Sequence, residues 1–409
     1  MITVKFIWMN MKRIPFLTLI LFTFLISCSS KNDKEVNKKA EKSAELELLA
    51  NGQLRFLKLS GSSYERGFAH GELLKNEIQE VIKLFKEDIK SSTGQEPDEF
   101  IKSFLAQTDY KNSVEKWTPE LMDELKGISE GSGVDFETIF MHQLGDEYWF
   151  NSKDILAHSC SSFGVNKTNS EPSITAQNMD IPEFYHGFQT VIESSVPGSD
   201  KKLMYLTIPG HLGITGMNNR SLSINCNTLM QLDYAKTGLP VTFIVRGVLS
   251  KETQEEALAF LEEINHASGQ NYIIGGPEKV FSLECSSTKV VEFRPFENSL
   301  FTYHTNHPMS NNDYSANYLD ALNANNKSPE EGLYECQRIK SFQRRFTENT
   351  KSISITNIKD VLSSRDNEGS DVVSNKTTYS SVIYELSAKP RFIIAPGKPH
   401  ETEYIELEW

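Results

Sequence analysis

Apolar and polar positions divide the chain into two textures. Leu54-Arg55-Phe56-Leu57-Lys58-Leu59 alternates closely enough to predict a strand. The next stretch, Gly61-Ser62-Ser63-Tyr64-Glu65-Arg66-Gly67-Phe68-Ala69-His70-Gly71, reads as a helix capped by Ser62 or Ser63 and continuing through Leu73, Ile78, Ile82 and Phe85. Gly67 and Gly71 lie four apart on one face. Two helical glycines cost about 2 kcal/mol in propensity, so close backbone packing is expected there. A second helical block runs from Trp117 to about Leu144, with Pro119 at a first helical position, a break at Gly131-Ser132-Gly133 and Asp135 as a new cap. Residues 60–150 are therefore expected to be mostly helical.

From Cys160 onward short strands dominate: Cys160–Val165, Ile174–Asn178, Gln189–Ser194, Leu203–Ile208 and Leu222–Asn227, with a turn at Gly216-Met217-Asn218-Asn219. Thr253 and Glu256 have capping-box spacing and open an amphipathic helix through Leu258, Leu261 and Ile264. Strands return at Asn271–Ile274, Val280–Glu284, Val290–Phe293 and Phe301–Thr305, with a hairpin turn at Gly275-Gly276-Pro277. Helices follow at about 313–324, 330–347 and 357–363. Strands close the chain at Ser380–Glu385, Arg391–Ala395 and Glu403–Leu407. Helices, strands, helices, strands in that order suit an α+β fold with two sheets covered by helices.

Composition alters this picture at the N-terminus. Lys12-Arg13 precedes a thirteen-residue apolar run, Ile14 to Ile26, shorter than the ~20 residues a spanning helix needs. It ends Leu25-Ile26-Ser27-Cys28, which resembles a bacterial lipobox with Cys28 as the lipidated residue. Met11 would serve equally as a start, since the ten residues before it add nothing to the signal. The expected order is a lipoprotein signal over 1–28, a flexible charged tether over 29–50 with no aromatic residue, and one domain over 51–409. That places the protein in the bacterial cell envelope, anchored to the membrane on its periplasmic or outer face. With 42 basic and 55 acidic residues the net charge is −13, which argues against a nucleic-acid partner.

Five cysteines occur: Cys28, Cys160, Cys226, Cys285 and Cys336. Their spacing marks no disulfide framework, although one bridge among the last three is open, and no metal or cofactor motif stands out. Cys160 lies between His158-Ser159 and Ser161-Ser162, where the texture changes from helix to strand. It is either an inert core thiol or a nucleophile. Asn178-Met179-Asp180 reads equally as a polar strand end. Asn225-Cys226-Asn227 and Thr305-Asn306-His307-Pro308 place amides at strand ends, where a structural bridge is the plain alternative. Arg338, Arg344 and Arg345 read as a solvated helix face.

Taken in order, these pieces resemble a family. They are Gly61 to Gly67 with His70-Gly71, Glu124-Leu125-Lys126-Gly127-Ile128-Ser129-Glu130-Gly131, Cys160-Ser161-Ser162, Gln177-Asn178-Met179-Asp180, Gly216-Met217-Asn218, Leu222 to Asn227, Thr305-Asn306-His307-Pro308 and Arg338. The set is similar to the acyl-coenzyme A:6-aminopenicillanic acid acyltransferase family, peptidase family C45, among the N-terminal nucleophile (Ntn) hydrolases. The resemblance covers roughly residues 54 to 409. It implies a four-layer αββα sandwich cut autocatalytically between Ser159 and Cys160 into chains 51–159 and 160–409, which stay together. Cys160 would then be the nucleophile, with its own freed α-amine, titrating near 7.7–8.0, as general base. Asp180 would support that amine, and Asn227 and Asn306 would serve the oxyanion. Gln177, Asn178 and Arg338 would shape the site.

Three departures from the family pattern bear on this. Ser159 stands where the fungal acyltransferase has glycine. Gln177 stands where bile-salt hydrolases have arginine. Met179 replaces a frequent tryptophan. The expected substrate is a small linear amide, an N-acyl amino acid, N-acyl amine or peptide-like molecule, with no cofactor. Two other readings use the same residues: a papain-like hydrolase pairing Cys160 with His211, His304 or His307, and a non-catalytic surface binding module on an inactive fold.

Overall fold

The computed structural model describes residues 44–150, 160–196, 198–333, 335–367 and 369–409; Cys28 and Ser159 lie outside them. The first described element is a strand, β1 (Ala44–Leu49), paired antiparallel with β2 (Leu54–Ser60). The tether expected over 29–50 is corrected there. Lack of aromatic residues was a poor guide, because Ala44, Leu46 and Leu49 pack on the core while Glu45 and Glu47 stay exposed.

Helices α1 (Ser63–Leu73), α2 (Lys75–Thr93), α3 (Pro97–Ala106), α4 (Tyr110–Trp117), α5 (Pro119–Ser132), α6 (Phe136–His142) and α7 (Gly145–Trp149) follow. Next come β3 (Ser161–Val165), β4 (Ser173–Asp180), β5 (Thr190–Ser195), β6 (Lys202–Thr207), β7 (Thr215–Asn218) and β8 (Ser223–Thr228). After α8 (Val241–Leu249) and α9 (Gln254–Glu263) stand β9 (Gln270–Gly275), β10 (Val280–Cys285), β11 (Val290–Phe293) and β12 (Phe301–His304). The chain ends with α10 (Ala316–Ala324), α11 (Gln337–Arg345), α12 (Ile355–Leu362), β13 (Thr378–Leu386), β14 (Arg391–Ala395) and β15 (Ile405–Leu407).

Two sheets result. One has the order β1-β2-β5-β6-β7-β8-β9-β10-β11, the other β12-β3-β4-β13-β14-β15. Pairing is antiparallel throughout except β2 with β5, which is parallel. Strand alternation sorts the core into layers. Val382, Tyr384, Phe392 and Ile394 belong to the core shared with the nine-stranded sheet. Their neighbours Ile383 and Ile393 join Phe163, Val165 and Ile174 against Phe342 of α11 and Ile358, Val361 and Leu362 of α12. On the far side, α2, α5 and α8 bury Ile78, Leu125, Phe243 and Val245 in the same core as β2 and β5. The architecture is the four-layer αββα sandwich of the α+β class. Between the sheets the bonds are polar as well: Thr175 and Ser223 hydroxyls meet at 2.7 Å, and Gln177 Nε2 donates to Cys226 O. Gly275 lets the layers approach, since a Cβ there would lie 2.4 Å from Leu386 Cδ1.

Several expected elements move. The helix predicted through Phe85 breaks at Leu74 into α1 and α2. Gly216 to Asn218 lies in β7, and the turn falls on Asn219–Ser221, with Ser221 at φ 60°. The helix expected over 330–347 is shorter, Gln337–Arg345. Helix α8 was not anticipated; every residue in it is buried, so it has no solvated face to mark it. The four described cysteines are free and buried, so no bridge joins Cys226, Cys285 or Cys336.

The helical layer is locked by close approach of α1 and α5. A Cβ on Gly67 would sit 1.9 Å from Glu124 O, and one on Gly71 2.5 Å from Ile128 O. Gly127 and Gly131 reciprocate, at 2.3 Å from Tyr64 O and Phe68 O. Beside this seam, buried Glu124 bonds Arg246 of α8 at 2.8 and 3.0 Å and Arg66 of α1 at 3.2 Å. Burial alone would raise the Glu124 carboxyl, but the two guanidiniums, Arg246 foremost, bring it down to about 2.

Gly67→Ala gains about 1 kcal/mol in helix propensity but drives a methyl into backbone that cannot step aside. The expected result is a net loss of about 2 kcal/mol in unfolding free energy by urea titration. Gly145→Ala, with nothing within 4 Å, should change it by no more than about 0.5 kcal/mol. Equal stability of Gly67→Ala and parent would contradict the close seam.

Candidate active site

Strand β3 begins immediately after Cys160, and alternation turns the Cys160 side chain toward the nine-stranded sheet. Its thiol is buried, 3.7 Å from Met179 Sδ and 3.7 Å from the carbonyl oxygen of Asp180, to which it donates. β4 thus delivers the partners, as the spacing of Cys160 and Asn178-Met179-Asp180 suggested. The Asp180 carboxyl accepts from Thr378 Oγ1 at 2.6 Å and Asn375 Nδ2 at 2.8 Å. Burial pushes it up to about 7. The Cys160 thiol is pushed up to about 12, by burial first and the Asp180 carboxylate second. In the uncut chain the thiol is therefore protonated at neutral pH. A cation released beside it would reverse both shifts.

Arg338 corrects the solvated-face expectation. It is 1% exposed, whereas Arg344 and Arg345 do face solvent and pair with Asp366. From α11 its guanidinium donates to Cys160 O, to Ser161 Oγ at 3.3 Å, and from both terminal nitrogens to Asn306 Oδ1 at 3.2 Å. Its Nε meets Asp371 Oδ1 at 2.8 Å. A buried guanidinium needs this many acceptors, and the residues that supply them are the ones around the thiol.

The two expected oxyanion amides differ. Asn306 Nδ2 donates to Thr228 O at 3.0 Å while its oxygen serves Arg338. Asn227 accepts from Asn271 Nδ2 at 3.3 Å, and its own Nδ2 is buried without a hydrogen-bond partner. A buried unpaired N–H is costly, so Asn227 holds a donor in reserve. Gln177 bridges the sheets. Asn178 faces the other way, donating to Leu362 O at 2.8 Å and Val373 O at 2.9 Å, so it secures the outer helix layer and does not line the cavity.

A cavity of about 80 Å³ opens at the thiol, lined by Cys160, Asp180, Asp146 and Thr228 among apolar side chains. No described histidine hydrogen-bonds the thiol. His304 spends both nitrogens, on Glu284 Oε1 and Thr305 O, each at 2.8 Å. His211 lines the cavity with Nε2 at 3.2 Å from Thr242 Oγ1. The sequence alone did not point to Asp371 and Asn375, in the loop before β13, or to Thr378, the first residue of β13. Asn375 and Thr378 carry a turn signature, Asn375 N donating to Thr378 Oγ1 at 3.1 Å, but nothing in the turn names Asp180 as its partner. Asp146 was missed as well, being one acid among many on a helical stretch.

Asp180 yields a pH prediction for the uncut chain. The unfolded carboxyl ionises near 3.8 and the folded one near 7, so the folded state keeps a proton the unfolded state has lost. The Asp180 contribution to stability is greatest below about pH 4 and is lost as pH rises to 7, by roughly 4 kcal/mol at 1.4 kcal/mol per unit. Urea titrations of Cys160→Ala, with and without Asp180→Asn, isolate this contribution. The double variant should show the shallower fall; equal slopes would contradict it.

The acyl-coenzyme A:6-aminopenicillanic acid acyl-transferase family model matches residues 165–393, more than half the chain and beginning just after Cys160. Among curated relatives, protein dcd1B of Dictyostelium discoideum is 34% identical over 49% of this chain and 43% of its own length. The matched stretch therefore spans less than half of that relative. The acyl-coenzyme A:6-aminopenicillanic-acid-acyltransferase 40 kDa form of Emericella nidulans is 24% identical over 64% of this chain and 71% of its own. An N-acylethanolamine-hydrolyzing acid amidase ortholog of Caenorhabditis elegans aligns in three dimensions with a TM-score of 0.40 and 17% identity, over 55% of this chain and 92% of that one. That score is too low to bear on the site. The family match is decisive: this chain belongs to the acyl-coenzyme A:6-aminopenicillanic acid acyl-transferase family.

Proposed function

We propose that this protein is an Ntn cysteine amidohydrolase, activated by cleavage of its own Ser159–Cys160 bond and acting on linear amides through an acyl-thioester on Cys160. The observation that carries the reading is the placement of Cys160 at the head of β3, with Asp180 beside its thiol and Arg338 on its carbonyl. Cleavage would turn the Cys160 nitrogen from an amide into an amine. That amine takes the thiol proton, the sulfur attacks the substrate carbonyl, and the negative oxygen that forms needs a fixed donor. The family resemblance gives this role to Asn227, whose Nδ2 is buried and unpartnered among the described residues, although Asn227 is not one of the residues lining the cavity. The proton held on the α-amine then passes to the leaving nitrogen, and water resolves the thioester to acid and thiol. Asp180, ionised once the neighbouring ammonium forms, keeps that amine oriented.

Hydrolysis is favoured over transfer by the expected location. Lipidation at Cys28 would hold the enzyme in the cell envelope, where acyl-coenzyme A is scarce. The two processed chains would remain associated, because β2 of the first pairs with β5 of the second and Glu124 of the first is bonded to Arg246 of the second.

The test is turnover of simple N-acyl amides by purified protein, followed by intact mass after rapid quenching. The expected result is an acyl adduct on Cys160 that hydroxylamine removes, and no turnover by Cys160→Ala. Asn227→Ala should lower kcat about 100-fold, the usual loss for one oxyanion donor. Undiminished turnover by Cys160→Ala would overturn the assignment.

A further inference from the structure

The cavity beside the thiol has a one-sided charge character. Two of its lining residues are carboxylic acids, Asp146 and Asp180, and none of the described lining residues is Lys or Arg. Its histidines, His142 and His211, are kept neutral by burial, His142 down to about 4. Asp180 is already provided for, by Thr378 and Asn375 now and by the Cys160 α-amine after cleavage.

Asp146 is held differently. From the start of α7 its Oδ2 accepts from Thr228 Oγ1 at 2.6 Å and Gln270 Nε2 at 2.7 Å. Both bonds fall on one oxygen, and Oδ1 accepts none among the described residues. The carboxyl is thus oriented by β8 and β9 and left with an open oxygen on the cavity wall. Glu147, next in the chain, turns the other way, accepting from Val241 N at 3.1 Å and Ser268 Oγ at 2.8 Å. Burial raises the Asp146 carboxyl above its ordinary value, and an oriented carboxyl in a small, mostly apolar space gains most from a cation that brings its own N–H donors and favours the ionised form. Trp149 and Tyr185 are among the aromatic side chains lining the same cavity. The cavity has room for about six waters at 10–15 Å³ each, which limits the group to a short chain.

We propose that Asp146 is a specificity-determining residue that binds a protonated amine on the substrate, so that the preferred amides carry a short ammonium-bearing group. This rests on the reading of Cys160 as the nucleophile. An anionic substrate group would meet two carboxyls and no described counter-charge in the cavity.

The experiment uses the full-length protein and two matched series. On the acyl side, β-alanyl, butyryl and succinyl p-nitroanilides differ chiefly in terminal charge. On the amine side, N-butyryl derivatives of ethylenediamine and propylamine do the same. The expected result is a kcat/KM at least tenfold higher for the ammonium member of one series than for its neutral partner, with the succinyl compound poorest. Asp146→Asn should bring that ratio to within about threefold of one. Because the readout is a ratio, a general loss of activity cancels; if Asp146→Asn is inert on both partners, Asp146→Ser is read the same way. A wild-type ratio near or below one in both series overturns the proposal, as does an unchanged ratio in an active Asp146 variant. Turnover of neutral amides without ammonium preference would leave the amidohydrolase reading intact. Failure to cleave any amide would remove that reading and this inference with it.

Discussion

One buried guanidinium holds the site together. Burying a cation costs several kcal/mol unless its donors are met, and Arg338 meets them with the Cys160 carbonyl, Ser161, Asn306 and Asp371. Those acceptors come from the head of β3, the turn after β12 and the loop before β13. The same loop supplies Asn375 to Asp180, and the first residue of β13, Thr378, is its other donor. The constraint that keeps Arg338 inside the protein is therefore the one that places the thiol, the acid and an amide around a common point.

A second lock secures the half of the chain that precedes Cys160. The glycine seam of α1 and α5 brings two helices to backbone contact, and Glu124 ties that pair to Arg246 of α8. With β2 inserted beside β5, the N-terminal segment is built into the nine-stranded sheet. Loss of one peptide bond ahead of Cys160 would free an amine without freeing a domain. Layer packing and the proposed chemistry are linked in this way: the sandwich would supply the rigidity to keep the site if that bond were cut.

Much of this was legible along the chain, for identifiable reasons. Short apolar runs between turns located β9 to β14 to within a residue or two, because strands packed on both faces read as such runs. Gly67 and Gly71 announced the helix seam because glycine in a helix is costly without a close neighbour. Cys160, Asp180, Asn227 and Asn306 were found only as an ordered set; each alone has an ordinary structural explanation. What escaped notice was long-range or unpatterned. Helix α8 is buried on every side, so no exposed polar face marks it. Arg338 sits in a polar helix among arginines that do face solvent, so its burial depends on contacts more than thirty residues away in sequence. Asp146 and Asp371 gain their places only through partners on distant strands and helices. Strand β1 was hidden by a polar composition that outweighed its alternation.

The central claim is that Cys160 becomes an N-terminal residue, and intact mass spectrometry of the purified full-length protein tests it directly. The account predicts two fragments that co-purify and meet at Ser159–Cys160, and a single uncut chain when Cys160 is replaced by alanine. A wild-type protein that turns over amides while remaining one unbroken chain would contradict it.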